Sequence, residues 1–254
     1  MTENSRIARG GKGIYGARVG ILMLETRFPR IPGDTGNAET WPFPVLYKVV
    51  PGASPRRVVC DRAAGLLEEF IAAAEELVRL GADGITTTCG FLSLYQRELA
   101  ARAGVPVAAS SLMQIPLIER MLPPGKRVGV LTVSAANLTE EHLIAAGADP
   151  ATPIVGTDGG CEFTRVMIND EERLDVAAAE RDILTAGDQL VAQHDGIAAV
   201  VLECTNMVPY ARGLSRRLRL PVFSIHTFVT WFHAGLVPHD FGHPASAPSE
   251  WRER

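Results

Sequence analysis

The chain contains a partial copy of itself, and that duplication constrains its fold more than any other feature. Residues 83–107 read DGITTTCGFLSLYQRELAARAGVPV, and residues 198–222 read AAVVLECTNMVPYARGLSRRLRLPV. Laid over each other at an offset of 115, these 25 positions share 7 residues: Cys89/Cys204, Tyr95/Tyr210, Arg97/Arg212, Leu99/Leu214, Arg102/Arg217, Pro106/Pro221 and Val107/Val222. A second echo, VGxL, falls at residues 19–22 and 128–131, an offset of 109. The repeat therefore extends over most of both halves. Pro123-Pro124-Gly125 is the clearest break and marks the division. Residues 1–123 and 124–225 are expected to form two similar halves. Residues 226–254 then supply a C-terminal helix and tail, expected to pack back on the first half.

Short β-branched runs alternate with helical patterns along both copies. Strands are expected at residues 18–25, 45–50, 85–88 and 105–108, then at 127–133, 153–155, 198–203 and 222–225. Helices are expected at 61–80, 92–103 and 110–122, then at 138–146, 174–194, 208–218 and 227–236, with Asp61 as the N-cap of the first. Such alternation points to an α/β protein of two pseudo-symmetric, Rossmann-like (flavodoxin-like) halves. Each would hold a parallel sheet, with the active site in the cleft between them. Residues 1–16 read as a loose arm. Residues 26–43 carry three prolines and the string GDTGN, and a loop of that length is functional or disordered.

Charge and composition exclude several classes. Lys and Arg number 25 against 29 Asp and Glu, with no basic stripe, so nucleic acid is not an expected partner. No apolar run approaches the ~18 residues that span a bilayer, so no membrane partner is expected. The start lacks the apolar core of a secretory signal, and a cytoplasmic location is expected. None of the four cysteines, Cys60, Cys89, Cys161 and Cys204, has zinc-type spacing, so they read as free thiols without a metal.

Cys89 and Cys204 each follow a buried strand and precede a helix. In open parallel sheets, ligands bind beyond the carboxyl ends of strands. A helix N-terminus there lowers a thiol's pKa and offers N–H groups to a carboxylate or an enolate. Gly90 permits close backbone approach, and Thr88, Thr205 and Asn206 offer hydrogen bonds, as do Thr132 and Ser134 after the matching strand of the second half. Glu203 reads equally as a salt-bridge partner or a catalytic acid. By strand alternation it should point away from Cys204. Two thiols on opposite walls of one pocket can move a proton from one face of a carbon to the other.

TTTCGF around Cys89, LECTN around Cys204, LTVSAANLT at residues 131–139 and the two-half plan resemble the aspartate/glutamate racemase superfamily. That group includes amino-acid and hydantoin racemases, maleate isomerases and arylmalonate decarboxylases. The resemblance covers residues 17–236. It implies an isomerase that uses no cofactor, acts on a small carboxylate and forms a homodimer, with Cys89 and Cys204 as the acid/base pair. The chain departs from glutamate racemases in reading Met23-Leu24-Glu25-Thr26 after the first strand and Asn206 after the second Cys-Thr. Glutamate itself is therefore not implied, and Arg27, Arg30 and residues 34–37 are candidates for the missing contacts. A maleate-type cis–trans isomerase, with one cysteine as nucleophile, is the nearest alternative. A two-lobed binding protein without catalysis is a third.

Other residues read as structural. His226 follows a strand but is an ordinary structural or surface histidine, and Cys60 reads as packing. Cys161 sits in a Gly-rich loop beside the cleft. His239, Asp240 and His243 lie in a Pro-rich tail that is a poor metal scaffold. Gly10, Gly11 and Gly13 follow no strand and form no dinucleotide fingerprint.

Overall fold

A computed structural model describes residues 10–241. The first half contains β1 (Val19–Leu24), β2 (Val45–Val50), α1 (Pro55–Val59), α2 (Leu67–Leu80), β3 (Gly84–Thr87), α3 (Gln96–Arg102), β4 (Val107–Ala108) and α4 (Ile115–Met121). The second contains β5 (Arg127–Thr132), α5 (Glu140–Ala145), β6 (Ile154–Gly156), α6 (Phe163–Asn169), α7 (Val176–Gln193), β7 (Ile197–Leu202), α8 (Ala211–Leu218) and β8 (Val222–Phe223), followed by α9 (Ile225–Leu236). The strands form two parallel sheets, in order β2-β1-β3-β4 and β6-β5-β7-β8. Identical order in both is the duplication seen in three dimensions. It is also the flavodoxin-type order, whose ligand crevice opens where the winding reverses, beside β1/β3 and β5/β7.

The VGxL echo has a packing cause. A Cβ on Gly20 would lie 2.9 Å from Ile85 and 3.1 Å from Leu77 of α2, and one on Gly129 would lie 2.7 Å from Leu190 of α7. Each glycine lets the long helix of its half close on the central strand. Both strands are buried along nearly their whole length, as expected of a parallel sheet covered on both faces.

Several boundaries differ from the sequence expectation. The helix expected from Asp61 begins at Leu67, because Arg62 and Ala63 take φ of 55° and Gly65 takes φ of 70°. Beyond this bend the exposed Arg62 side chain pairs with Glu141 of α5 in the other half. The segments after Cys89 and Cys204 open as 3₁₀ turns, Gly90–Tyr95 and Thr205–Tyr210, before α3 and α8 begin. Another 3₁₀ turn, Ser111–Gln114, precedes α4. Helix α6 has no counterpart in the expected elements. Residues 10–16 are tied down: the Ile14 amide donates to the Leu80 carbonyl, and Lys12 pairs with Asp83.

Residues 26–43 form an ordered strap. Arg30 pairs with Asp34 at 2.7 Å in a nearly buried bridge. Trp41 Nε1 and Tyr47 Oη both donate to the Thr35 carbonyl. The strap crosses to the second half, where the Arg27 and Phe28 amides donate to Asp170 Oδ1 at the end of α6. Further inward, Ser111 Oγ donates to the Leu202 carbonyl and Gln114 Nε2 to that of Ser224. Helix α9 lays Ile225, Phe228 and Val229 against Val19, Ile21, Trp41 and Ala108 of the first half. Among the described residues no helix is long and apolar enough to cross a membrane, and none of their His, Cys, Asp and Glu side chains cluster to hold a metal.

Candidate active site

Cys89 caps the end of β3 and Cys204 the end of β7, both in extended backbone and both buried. They line one small, partly open pocket at the junction of the halves. Its walls include Phe28, Thr88, Gly90, Phe91, Val133, Met167, Ile168, Glu203, Thr205 and Asn206. The strap contributes Phe28 and α6 contributes Met167 and Ile168, so one wall comes from elements the sequence left unassigned.

The halves meet tightly here. Thr205 Oγ1 donates to the Thr88 carbonyl at 2.7 Å, and Thr88 Oγ1 accepts from the Leu24 amide. A Cβ on Gly90 would lie 2.3 Å from Glu203 Oε1 and 2.5 Å from the Glu203 carbonyl. Glycine is thus the residue that lets this turn reach the end of β7.

The surroundings of the two thiols are unequal. The Phe91 and Leu92 N–H groups point at the Cys89 sulfur, and the Arg30 charge also favours its thiolate. Cys204 Sγ donates to Asn206 Oδ1 at 3.5 Å. Asn206 is held in that orientation because its Nδ2 donates to Asp34, itself paired with Arg30. This relay presents an acceptor to the Cys204 thiol and favours its protonated form.

The sequence reading expected helix N-termini to lower both thiol pKa values. Instead burial, reinforced by Glu203, pushes both well up, and the backbone N–H groups only oppose that rise. A short 3₁₀ turn aligns fewer peptide dipoles than an α-helix, so its opposition is weak.

Glu203 does not point away from the cavity. It is fully buried and lines it, with Oε2 accepting from Thr132 Oγ1 at 2.7 Å. Its Oε1 is buried without a hydrogen-bond partner. Burial raises its pKa to about 8, against the lowering effect of the Thr132 hydroxyl. No salt bridge to Glu203 occurs among the described residues, which removes the salt-bridge reading.

Thr88, Gly90, Thr205 and Asn206 line the cavity as expected. Thr132 stands behind Glu203, and the Ser134 hydroxyl is occupied by Asn137 Nδ2, so neither lines it. Arg30 is committed to Asp34, and Arg27 faces solvent beside Asp170 and Glu172. Neither is placed to hold a second carboxylate. His226 stacks on Trp41 at 5.5 Å, away from the thiols. Cys161 is exposed in its loop beside Asp182. His239 packs edge-on to Phe241, and His243 lies outside the described residues. The buried Arg30–Asp34 pair escaped the sequence reading as a pair. Its one local signal was an i,i+4 spacing inside a loop, where that spacing carries no helical meaning.

No family model matches the chain. A dimethylsulfoniopropionate lyase of Durusdinium sp. clade D is 25% identical over 229 residues, covering 87% of this chain and 75% of that protein. Dimethylsulfoniopropionate lyases 3 and 6 of Emiliania huxleyi (strain CCMP1516) are 28% and 29% identical over 232 residues, 86% of this chain. The chain spans 60% of the length of those two proteins. Among solved structures, arylmalonate decarboxylase superposes with a TM-score of 0.55 at 16% identity, over 87% of this chain and 92% of that one. Allantoin racemase from Pseudomonas fluorescens gives 0.55 at 14% identity, over 86% and 90%. Picrophilus torridus aspartate racemase gives 0.50 at 12%, over 87% and 93%. The chain has the fold of the aspartate/glutamate racemase superfamily.

Proposed function

We propose that this chain is an enzyme that removes the proton α to the carboxylate of a small substrate with one cysteine, the second cysteine acting as the acid. The observation that carries this reading is the pair of buried thiols, Cys89 and Cys204, at matched strand ends on one cavity. The N–H groups after each cysteine are suited to the substrate carboxylate, whose negative charge grows as the α-carbon loses its proton. No Arg, Lys or His lines the cavity among the described residues, which favours one carboxylate over two.

Cys89 is assigned as the base, since N–H groups and Arg30 favour its thiolate. Cys204 is assigned as the acid, since Asn206 accepts from its S–H. The Cys89 thiolate takes the α-proton, and the C–H electron pair moves into the carboxylate as an enediolate. If Cys204 then delivers its proton to the opposite face, the carbon is inverted and the enzyme is a racemase. If the β-carbon carries a leaving group, the same electrons form a C=C bond and expel the group with its bonding pair.

The curated relatives favour the second fate. A lyase acting on dimethylsulfoniopropionate in this way would release dimethyl sulfide and leave an alkene carboxylate. Both fates share the first proton transfer, and the substrate decides between them.

The test is α-hydrogen exchange in D₂O, followed by NMR. The reduced protein meets amino acids, hydantoins, maleate and dimethylsulfoniopropionate, with Cys89→Ser and Cys204→Ser alongside. Exchange lost in Cys89→Ser, with inversion or elimination products requiring Cys204, supports the reading. Absence of exchange and of alkene product across the panel would overturn it for these substrates, and turnover of maleate alone would favour the cis–trans isomerase.

A further inference from the structure

The pocket between the thiols is too small for a substrate as it stands. Its volume is about 30 Å³, room for about two water molecules. A carboxylate with a substituted α-carbon is several times larger, so part of the wall must move to admit one. The floor is built from the two cysteines and their neighbours at the ends of β3 and β7. The cover comes from elements beyond the strand ends: Phe28 of the strap, Pro55 and Val59 of α1, and Met167 and Ile168 of α6.

The parts of this cover are not equally fixed. Helices α1 and α6 pack against each other. Helix α6 buries Phe163, Val166 and Met167, and the Asp182 carboxylate receives the amides at its start. Shifting it would carry that apolar surface into water. Residues 26–29 are held more lightly, and swinging them out uncovers one large apolar side chain, Phe28. Among the described residues, no main-chain group of 26–29 bonds to another main-chain group. Their tie to the second half is Asp170, the C-cap of α6, whose Oδ1 accepts from the Arg27 amide at 2.6 Å and the Phe28 amide at 3.1 Å. Arg27 adds ion pairs to Asp170 and Glu172, but its side chain is exposed and such pairs are weak. Contacts from Arg30, to Thr26 Oγ1 and over the Phe28 ring, lie within the strap itself. The segment is anchored at its ends, where the Glu25 amide donates to the Ala53 carbonyl and Asn37 Nδ2 to that of Arg30.

Resting on the reading above, in which a small molecule meets Cys89 and Cys204 here, we propose that residues 26–29 are the gate of the site and that Asp170 is the positioning residue that closes it, by holding Phe28 over the thiols. Two amides sharing one carboxylate oxygen form charge-assisted bonds. These are stronger than neutral ones, yet few enough to break and remake as substrate passes. Closing returns the Phe28 ring to the wall and shuts water out of the reacting centre. The gate belongs to the first half and its latch to the second, so the same bonds fasten the halves across their shared site.

The experiment is alkylation of the reduced protein by iodoacetamide, with each cysteine followed by peptide mapping, in wild type, Asp170→Gly and Asp170→Asn. Asp170 has φ of 56°, which glycine adopts freely, so Asp170→Gly removes the latch without straining the backbone. Cys89 and Cys204 should both react about 10- to 100-fold faster in Asp170→Gly. Asp170→Asn keeps a neutral acceptor for the amides and should fall in between. Cys161, already exposed, should change less than about twofold. Ile71→Val, buried in α2 away from the pocket, is the control for global unfolding. Compared at matched stability in dilute urea, it should leave both cysteines slow. Unchanged labelling in Asp170→Gly, acceleration of one cysteine only, or equal acceleration in Ile71→Val would overturn the gate. α-Hydrogen exchange in D₂O is scored separately. Faster labelling with no exchange on any substrate overturns the enzyme reading alone, and exchange in the wild type with labelling unchanged in Asp170→Gly overturns the gate alone.

Discussion

Gly90→Ala adds one carbon at the tightest point of the candidate site. The new Cβ would stand 2.3 Å from Glu203 Oε1 and 2.5 Å from the Glu203 carbonyl, whereas real Cβ contacts stay beyond about 3.0 Å. The carboxyl can swing only by breaking its bond to Thr132. The carbonyl is backbone at the end of β7 and cannot swing at all. The Cys89 turn and the end of β7 must therefore part by about 0.5–0.7 Å. Overpacking of this kind costs about 1–3 kcal/mol, and the rigid carbonyl places this case toward the upper end. Because each displaced segment carries one of the two cysteines, the separation passes directly into the spacing of the thiols. A misplacement near 1 Å lowers the rate of a positioned reaction by about 10²-fold. Urea denaturation measures the first effect and α-hydrogen exchange the second. A variant with stability within about 0.5 kcal/mol and exchange within twofold of wild type would refute the argument that this contact sets the thiol geometry.

Asp34→Ala should cost about 3–5 kcal/mol in urea denaturation, because it leaves the nearly buried Arg30 without its partner. The double variant Arg30→Met/Asp34→Ala should be more stable than that single variant, and additive losses would count against a coupled pair. Glu203 holds its proton to about pH 8 in the folded chain but ionises at the ordinary carboxylate value when unfolded. Between those values the folded state binds more protons, so stability should fall as pH rises from about 4.5 to 8, and Glu203→Gln should flatten that slope. His142 runs the other way. Burial holds it down to about 4, so the unfolded state binds more protons between about 4 and 6.5, and stability should fall on acidification through that window. His142→Leu should lessen the loss, and an unchanged melting profile would refute it. Gly235→Ala, in α9 with open space around its Cα, should raise stability by about 0.5–1 kcal/mol.

The elements legible in the sequence are those whose signal is local. Strand β3 and its counterpart β7 are buried runs ending at a cysteine, and the repeat marks both at once. Helix α6 was not legible because its cap is remote. The amides of Cys161, Glu162 and Phe163 at its start all lie within hydrogen-bond reach of the Asp182 carboxylate on α7, about 20 residues onward. The start of α2 was misplaced because Asp61 has the right chemistry for a cap, while the chain turns left-handed at Arg62, Ala63 and Gly65 before the helix begins. The strap read as a loop either functional or disordered, and its ordered path was not legible because prolines and glycines dominate it. Its order depends on a buried ion pair and on Asp170 in the other half.

Duplication explains why there are two thiols, but a symmetric pair alone cannot assign acid and base. The asymmetry lies in what each half adds. In the repeat, Glu203 occupies the place of Thr88 and Asn206 the place of Phe91. Thr88 spends its hydroxyl on the Leu24 amide and brings no charge to the site, whereas Glu203 brings a carboxyl with one oxygen buried and unpartnered. The strap, which only the first half carries, orients Asn206 toward Cys204 through Asp34. Removing the strap's hold should therefore act on one thiol and spare the other. In Asp34→Asn the Asn206 amide loses the carboxylate that fixes its orientation, so the acceptor facing the Cys204 thiol is no longer held. Cys204 should then become more reactive toward iodoacetamide, while Cys89, held by the Phe91 and Leu92 amides, changes less. Peptide mapping by mass spectrometry separates the two sites. Equal change at both cysteines would mean that the strap controls access to the cavity and not the protonation of Cys204.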